Sequence, residues 1–534
     1  LVEVTTGQEI TRVRHNGCVS EVIVSPDGRY LATHSEMQDS EVVALVKSET
    51  GQELVWIRPE GEIQEIVFSP DGRHLVIRTE DNTVILVEVA TGQEIARIRH
   101  EDYIWDVIFS PDGRYLATRS SDNTATLVEV ATGKEITRVR HNNGVREAVF
   151  SPDNRYLATG GWDKIVILVE VGTGREITRI QHQDYIDELG FSSDGRYLVT
   201  QSESTVVLVE MATGRELARI QHDGYMNEVA FSPDGRYLAI ASSRWRMGET
   251  VIVELATGQQ VGYLKHEDRV QQITFSPDGR YLATASEDGT AILFDVMTRQ
   301  EVTRVRHNAP VREIIFSFDG NFLATASMDG TAALVKVATG REIARIRHES
   351  AVSEITFSPD GQYLATGSYN GTVAVVKTEV GRGVAHIHYE GDVTEVAFGP
   401  DGRYLATASN DGTATLLEVA AGRKITHVQH AGGVWGVVFS PDGRYLATRG
   451  DDDAVTLVEV ATGRQVTRIQ HNAYVDEIVF SPDGHYLATQ SDTWDSDFGE
   501  VALVEVATGQ EVVRIQHEDE VRGVIFSADG RYLA

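Results

Sequence analysis

The amino-acid sequence predicts an all-β protein made of tandem β-propellers, with about thirteen repeats of about 41 residues. Three observations predict this fold: one phrase returns along the whole chain, each repeat contains four short strand patterns, and turn residues separate those patterns. A fixed period in this range is typical of repeat architectures. Helix is not expected, because no window carries apolar residues at helical spacing with caps.

The returning phrase is Phe-Ser-Pro-Asp-Gly-Arg-Tyr-Leu-Ala-Thr, and it occurs in thirteen versions. Most neighbouring copies lie 41 residues apart, one pair lies 40 apart, two pairs lie 44 apart and the last pair lies 46 apart. Its first position is occupied by Val24, Phe68, Phe109, Phe150, Phe191, Phe231, Phe275, Phe316, Phe357, Phe398, Phe439, Phe480 and Phe526.

The unit from His266 to Arg306 shows how one repeat is organised. Its apolar, β-branched and aromatic residues predict a first strand that ends at Ser276-Pro277-Asp278-Gly279. In that tetrapeptide Pro fixes φ, Asp bonds back to the backbone and Gly tolerates a positive φ, so the chain reverses. Three further strands follow, which makes an antiparallel meander of the length of one propeller blade. The four strands are expected at residues 270–275, 280–286, 291–296 and 301–306.

A single blade cannot cover both of its faces, so neighbouring blades have to stack. Thirteen blades exceed the roughly four to eight of one ring, and two rings are therefore expected. The sequence is divided into a half blade at 1–15, a first propeller of about seven blades at 16–306 and a second propeller at 307–534. In an alternative, the half units 1–14 and 521–534 share one blade. No linker marks a boundary, since the period of 41 continues through the middle of the chain.

Composition narrows the classes of partner. The formal charge of −32 and the pI near 4.9 disfavour nucleic acid, which requires a basic surface, and would repel an anionic membrane. Cys18 is the only cysteine, and no apolar run is long enough to cross a bilayer, so we expect a cytoplasmic protein. The chain starts within a third-strand pattern and stops inside the phrase, so we expect a fragment of a longer protein.

His266, Ser286, Asp288 and the run Leu293-Phe294-Asp295-Val296 resemble the WD40 repeat. In that family a His precedes the first strand, a Ser lies on the second, an Asp lies in the following turn and Trp-Asp ends the third. The resemblance implies a buried hydrogen-bond network of His, Ser, Asp and Trp in each blade. Here Val-Glu replaces Trp-Asp in most units, which leaves three members. The network residues expected in complete units are His100, Ser120, Asp122, His266, Ser286, Asp288, His307, Ser327 and Asp329.

Some units depart from this pattern. Gly161 stands where Ser is expected in the unit that begins at His141, and Pro59 and Tyr389 stand where His is expected. We expect these blades to be less rigid, because a buried polar network rigidifies only when it is complete.

Neither a metal site nor a catalytic site is expected. Eleven of the 17 His occupy the same repeat position, which places one in each blade, too far apart to share an ion. Glu and Arg recur on the fourth strand, where exposed ion pairs keep the strand edge soluble. No phosphate-binding loop, metalloprotease helix or nucleophile elbow occurs, so no cofactor is predicted.

The variable positions between one fourth strand and the next first strand are the predicted binding sites. The resemblance implies that this segment faces one rim and the central channel, where partner peptides dock. Tyr, Trp and Arg recur there, and these residues dominate interface hot spots. Alternatively, these side chains only fill the channel mouth. The candidates are Tyr103, Trp105, Tyr185, Tyr225, Arg269, Arg312, Trp435 and Tyr474, together with Trp245 and Trp494 in two lengthened second turns.

The function expected from these observations is that of a non-enzymatic scaffold or sensor that binds proteins or peptides. The repeats also resemble bacterial WD40 arrays that are attached to signalling domains, which implies an effector domain outside this sequence. Two alternatives stay open: a propeller enzyme of hydrolase or lactonase type with a site at a channel mouth, and a passive spacer.

Overall fold

The computed structural model describes residues 1–11, 13–15, 18–36, 41–222, 224–492, 499–517, 521 and 523–533. Within these residues the chain forms twelve four-stranded antiparallel sheets and one two-stranded sheet. Each four-stranded sheet is one blade, and its strands pair in chain order. The only helix in the described part is a 3-10 turn at Val337–Thr339. The predicted all-β propeller-blade fold is therefore confirmed.

The chain divides into two compact units. Unit 1 comprises Leu1–Asp223 and Ile525–Ala534, and unit 2 comprises Gly224–Val524. This division differs from the boundary after Arg306 that the sequence analysis expects. The repeat period gives no sign of either position, since it continues unbroken through both.

Unit 1 contains five blades and the two-stranded sheet. Blade 1 consists of β2 (Cys18–Val24), β3 (Tyr30–Glu36), β4 (Val42–Lys47) and β5 (Glu53–Ile57), and blade 2 of β6 (Ile63–Phe68), β7 (His74–Thr79), β8 (Thr83–Glu88) and β9 (Gln93–Arg99). Blade 3 consists of β10 (Ile104–Phe109), β11 (Tyr115–Ser120), β12 (Thr124–Glu129) and β13 (Lys134–Arg140). Blade 4 consists of β14 (Val145–Phe150), β15 (Tyr156–Gly161), β16 (Ile165–Glu170) and β17 (Arg175–Gln181), and blade 5 of β18 (Ile186–Phe191), β19 (Tyr197–Ser202), β20 (Thr205–Glu210) and β21 (Arg215–Gln221).

The two-stranded sheet joins the two ends of the described chain. Strand β1 (Val2–Glu3) pairs with β50 (Tyr532–Leu533), and Val2 lies opposite Leu533. The amide of Val4 donates to the carbonyl of Arg531 (2.9 Å), which extends the same pairing.

Unit 2 contains seven blades. Blade 6 consists of β22 (Tyr225–Phe231), β23 (Tyr237–Arg244), β24 (Met247–Glu254) and β25 (Gln259–His266), and blade 7 of β26 (Val270–Phe275), β27 (Tyr281–Ser286), β28 (Thr290–Asp295) and β29 (Gln300–Arg306). Blade 8 consists of β30 (Val311–Phe316), β31 (Phe322–Ser327), β32 (Thr331–Lys336) and β33 (Arg341–Arg347), and blade 9 of β34 (Val352–Phe357), β35 (Tyr363–Ser368), β36 (Thr372–Lys377) and β37 (Arg382–His388). Blade 10 consists of β38 (Val393–Phe398), β39 (Tyr404–Ser409), β40 (Thr413–Glu418) and β41 (Arg423–Gln429). Blade 11 consists of β42 (Val434–Phe439), β43 (Tyr445–Gly450), β44 (Ala454–Glu459) and β45 (Arg464–Gln470), and blade 12 of β46 (Tyr474–Phe480), β47 (Tyr486–Asp492), β48 (Gly499–Glu505) and β49 (Gln510–His517).

The returning phrase forms the turn between the first two strands of a blade. In blade 7 the hydroxyl of Ser276 donates to Asp278 Oδ1 (2.5 Å) and accepts from the amide of Tyr281 (2.9 Å). Gly279 has a φ of +72°, and a Cβ there would lie 2.7 Å from the Asp234 carboxylate in the equivalent turn of blade 6. The glycine is therefore required both by the turn conformation and by the close approach of the neighbouring turn.

The core lies between the faces of neighbouring blades. One apolar cluster joins Ala239 and Ile252 of blade 6 to Ile273, Leu282 and Ile292 of blade 7. The two middle strands of blade 7 are buried along their whole length, because other blades or strands cover both of their faces. Their small Ala and Thr side chains let the sheets approach, as close packing requires.

Candidate functional site: the blade network and an aromatic surface

The predicted polar network is present, but its membership differs from the prediction. In blade 3 Nδ1 of His100 donates to Asp122 Oδ2 (2.8 Å), and Nε2 accepts from the hydroxyl of Thr118 (2.8 Å). Burial lowers the pKa of His100, so its neutral form is favoured even though the neighbouring Asp122 opposes this shift. His266 and His307 likewise each lie within 2.9 Å of two threonine hydroxyls.

In these three blades the serines bond to backbone groups near the ring. The hydroxyl of Ser120 donates to the carbonyl of Asp102 (2.9 Å) and accepts from the amide of Asp122 (3.0 Å). Ser286 and Ser327 bond in the same way to Asp268 and Ala309. In these three blades Thr therefore contacts the His ring, and Ser bonds to the backbone beside it. In blades 5 and 12 a Ser hydroxyl does contact the ring, with Ser202 3.1 Å from Nδ1 of His182 and Ser491 3.0 Å from Nδ1 of His471. The Thr that ends the returning phrase was a visible signal, since it lies two residues before the Ser on the same strand face.

The position of the serines explains why one substituted blade keeps its network. With Gly161 in place of Ser, His141 retains its contacts to Asp163 (3.1 Å) and Thr159 (2.9 Å). In blade 10 the buried Tyr389 replaces His, and its hydroxyl contacts the hydroxyl of Thr407. The expected loss of rigidity in these blades stays a prediction.

Two aromatic pairs are exposed on unit 1. The rings of Tyr103 and Trp105 meet edge to face with centroids 5.0 Å apart, and the Trp105 indole N–H donates to Ser121 Oγ (2.8 Å). The rings of Trp162 and Tyr185 meet in the same manner at 5.4 Å. Trp105 is 49% exposed, Trp162 40% and Tyr185 51%. Both pairs therefore present large rigid rings to solvent.

Gly144 lies between the two pairs. A Cβ on Gly144 would lie 3.4 Å from Cδ1 of Trp162 and 3.5 Å from Cα of Ser121, the residue that holds Trp105. Neighbouring units carry Tyr103 and Tyr185 at the same repeat position, so Gly144 is the one small residue among three consecutive units at this position. We call Tyr103, Trp105, Gly144, Trp162 and Tyr185 the aromatic surface.

Cations of the chain itself lie against this surface. The guanidinium carbon of Arg146 is 5.0 Å from the centroid of Trp162, and Nζ of Lys164 is 5.3 Å from that of Tyr185. Arg78 approaches Tyr103 at 5.9 Å. Such cation–π contacts fix the rings in place. Three of these aromatic residues, Tyr103, Trp105 and Tyr185, are among the binding candidates predicted from the sequence, whereas Trp162, Gly144 and Arg146 are not.

The candidates in unit 2 are more dispersed. Tyr225, Arg269 and Trp435 are exposed, and the Trp435 indole N–H donates to Asp451 Oδ1 (2.7 Å). Nε of Arg312 lies 3.2 Å from Sδ of Met328, and the half-buried Tyr474 lies beneath Arg449. Within the described part of unit 2 no candidate ring packs on another aromatic ring.

Of the two tryptophans predicted in lengthened turns, only Trp245 lies within the described residues. Trp245 lies in the turn that connects β23 to β24. Its side chain is 95% exposed, and its backbone φ is +56°. Trp494 lies outside the described residues.

Comparison with known proteins agrees with this architecture. The family model described as the IFT122 first beta-propeller matches residues 246–493, and the model described as WD domain, G-beta repeat matches residues 92–127, 133–169 and 214–246. This chain belongs to the WD40-repeat β-propeller family. A search of curated proteins found no match. Among solved structures, the computationally designed Ika8 protein is similar at 22% identity, with a TM-score of 0.33, over 61% of this chain and 99% of that chain.

Comparison with the WD40 pattern shows which residues lie around the His ring in place of the Trp. Where the WD40 repeat has Trp, blade 3 has Val128, and the ring of His100 is instead surrounded by the hydroxyls of Thr118, Thr124 and Thr126 at 2.8, 3.1 and 3.4 Å. Hydroxyls thus supply the polar contacts around the ring in this WD40 chain.

The Glu and Arg residues of the fourth strands do more than solubilise an edge. In blade 8 Arg345 donates to both carboxylate oxygens of Glu342 (2.8 and 2.6 Å) and to the carbonyl of Arg306 (3.0 Å) at the end of blade 7. We call such a Glu and Arg, three residues apart, an edge pair. Edge pairs therefore also tie one WD40 blade to the preceding one.

Glu and Gln side chains on first strands form a second set of links between blades. Glu228 accepts from the amide of Ile273 (2.7 Å) in the following blade, and Gln272 accepts from that of Ile314 (2.8 Å). Burial raises the pKa of Glu354 to about 7, with a further contribution from Glu395 nearby. Among the described residues no group of three His, Cys, Asp or Glu is placed to hold a metal ion, and no helix could span a bilayer.

Proposed function

We propose that the chain is a non-enzymatic protein-interaction module, and that the aromatic surface of unit 1 binds an extended segment of a partner protein. One observation carries this proposal: three consecutive blades contribute two edge-to-face aromatic pairs, and Gly144 lies close to Trp162 of one pair and to Ser121, which accepts a hydrogen bond from Trp105 of the other. Rigid aromatic residues offer large contact area at low entropic cost, which is why they dominate hot spots.

The charges near the aromatic surface favour a basic segment. Arg146 already donates to the carbonyl of Ile186 (2.6 Å), and Lys164 donates to that of Gln183 (2.6 Å). By contrast, Glu101 and Glu188 are exposed acids within three residues of Tyr103 and Tyr185 in the chain. The formal charge of −32 would also attract a basic partner over long range. Lys or Arg side chains of the partner can therefore contact both the carboxylates and the aromatic faces.

We further propose that this module is a cytoplasmic scaffold or sensor within a larger bacterial signalling protein. The resemblance of its repeats to bacterial WD40 arrays supports this setting. An effector domain elsewhere in the same protein would then respond to a partner that binds here.

Peptide selection tests the proposed surface. A phage-displayed random peptide library is panned on the wild-type chain, and the selected peptides are measured by fluorescence anisotropy against a variant with Trp105→Ala and Tyr185→Ala. We expect basic peptides and a loss of affinity of at least about tenfold in the variant.

The matched control is Phe318→Ala, which removes another exposed aromatic ring, in a turn of unit 2. Its affinity should equal that of the wild type. Equal affinities of the double variant and the wild type would contradict the proposed site. A passive spacer would select no peptide that distinguishes the variants.

A further inference from the structure

Four of the seven blades of unit 2, blades 6, 9, 10 and 11, lack the complete edge pair. Blade 6 has Gln260 and Tyr263 at the two positions, and blade 11 has Gln465 and Arg468. In blade 9 the two positions are Gly383 and His386, and in blade 10 they are Lys424 and His427. Blades 9 and 10 have therefore lost the acid and exchanged Arg for the shorter His. The edge pairs found elsewhere are Glu94–Arg97, Glu135–Arg138, Glu176–Arg179, Glu216–Arg219, Glu301–Arg304, Glu342–Arg345 and Glu511–Arg514.

The exchange uncovers the edge of each blade. An Arg such as Arg345 reaches the carbonyl at the end of the preceding blade and also lies 3.4 Å from Nδ1 of His307. Within the described residues the imidazoles of His386 and His427 make no corresponding hydrogen bond, and both side chains are exposed. The link that Arg345 makes to the preceding blade is therefore not made by the residues at the same position in these two blades.

Clefts lie where the edge pairs of blades 9 and 10 are absent. One cleft of about 490 Å³ is lined by Arg345, Arg347, Val376, Gly383 and His386. A second, of about 440 Å³, is lined by residues that include His388, Tyr389, Asp411, Lys424 and His427. The first is lined by β37 up to His386 and the second by the same strand from Ile387 onward, so β37 borders both clefts.

The charges in these clefts differ from those of the chain as a whole. Strands β37 and β41 contain no carboxylate. Of the acids nearby, Glu342 is bonded to Arg345, and Asp411 accepts from the amides of Glu390 and Thr413 (both 2.8 Å). Glu390 is the remaining acid in the lining. The cationic and histidine side chains in the two linings are Arg345, Arg347, His386, His388, Lys424 and His427.

We propose that these two clefts bind an acidic segment of a partner protein, whose carboxylates contact Lys424 and the exposed imidazoles. Both clefts are open, so a small molecule would leave much of its surface in water, whereas an extended segment can cross both blade edges. A protonated imidazole attracts a carboxylate more strongly than a neutral one, so binding should strengthen as the pH falls. This site is independent of the aromatic surface of unit 1.

Variants that restore the edge pair test the proposal without removing the fold. Lys424→Glu with His427→Arg, and Gly383→Glu with His386→Arg, rebuild the pattern of blade 8. A Cβ on Gly383 meets no atom within 4 Å, so the new side chain has space. The matched control is Gln465→Glu, which places an acid at the equivalent position of β45 beside Arg468 but away from the clefts.

The probe is a short fluorescein-labelled peptide rich in Glu, compared with the same peptide carrying Gln and with one carrying phosphoserine. We expect the Glu peptide to bind at about pH 6 and to bind several-fold more weakly at about pH 8. The two repaired variants should each lose about tenfold in affinity, and the control should lose none.

Equal binding of the Glu peptide to the repaired variants and the wild type would overturn the proposal, as would equal binding of the Gln peptide. Binding of the phosphoserine peptide alone would also contradict it, because the site would then recognise phosphate and not an acidic segment. The variant with Trp105→Ala and Tyr185→Ala should bind the Glu peptide normally, which separates this test from that of the aromatic surface.

Discussion

Blades 8 and 10 of unit 2 carry the same four strands but differ in how their outer parts are held. In blade 8 the ring of His307 lies between two threonine hydroxyls, and the edge pair Glu342–Arg345 covers it. In blade 10 Tyr389 replaces the His, and Lys424 and His427 replace the edge pair. Both blades keep their sheets, so the strands depend mainly on backbone pairing and apolar burial. The polar residues at the outer edge of a blade can therefore be exchanged without loss of the sheet. A binding cleft can form at an edge where they have been exchanged.

The largest effect should come from removing the ring in blade 8. His307→Ala leaves the hydroxyls of Thr325 and Thr331 without their buried partner and opens a cavity. We expect a loss of about 3 kcal/mol in the free energy of unfolding, measured with urea. Asn308→Ala, at the exposed neighbouring position, should change it by less than about 0.5 kcal/mol. A similarly small loss in His307→Ala would show that the ring is not a structural requirement.

Lowering the pH should destabilise blades that contain the buried His more than blade 10, which has Tyr389 at that position. Burial lowers the pKa of His182 in blade 5 to about 4, and Arg219 contributes to this shift. The folded pKa lies below the unfolded value, so the stabilisation is complete above about pH 6.5 and is lost as pH falls toward 4. We expect a loss of about 2 kcal/mol over that range.

Hydrogen exchange, corrected for intrinsic rates, measures this difference. Amides of β19 and β20 in blade 5 should lose protection on acidification, whereas those of β39 and β40 in blade 10, which face Tyr389, should change less. Equal losses in the two blades would contradict a role for the histidine. The variant His182→Gln supplies a control, since it has no charge to gain.

A third change gives blade 8 the edge of blade 9. Glu342→Gly with Arg345→His removes the bidentate pair and the bond to the carbonyl of Arg306. Because these groups are partly exposed, we expect a loss of only about 1 to 2 kcal/mol in urea unfolding. The exposed change Arg341→Gln on the same strand should cost almost nothing. If the double variant were as stable as the wild type, the edge pair would contribute only solubility.

The smallest effect concerns the first strands. Glu354→Gln should preserve the bond to the amide of Val396, since Gln272 makes the equivalent bond to Ile314 (2.8 Å). The folded pKa of Glu354 is raised to about 7, so the wild type loses stability as pH rises through that value. We expect the Gln variant to be more stable by about 0.5 to 1 kcal/mol at about pH 8 and equal at about pH 5. A variant that is less stable at both pH values would show that the carboxylate is needed in its charged form.

The candidate site was only partly predictable. Tyr103, Trp105 and Tyr185 stand out in the sequence because they occupy variable positions between periodic ones. Their meeting with Trp162 across Gly144 could not be predicted, because it depends on how neighbouring blades stack. The histidines of β37 and β41 were overlooked for a related reason: their meaning appears only when the role of the Arg they replace is known.

The sequence by itself determined the repeat, the four strands of each blade and the turns, because these depend on residues within a few positions of one another. It also indicated the WD40 family and the His at the start of each unit. The tertiary structure alone decided that a Thr hydroxyl contacts the ring of His100, that β1 pairs with β50, and that the chain divides at residue 223. These features depend on contacts between residues that lie tens to hundreds of positions apart in the chain. A periodic sequence is compatible with more than one set of such contacts.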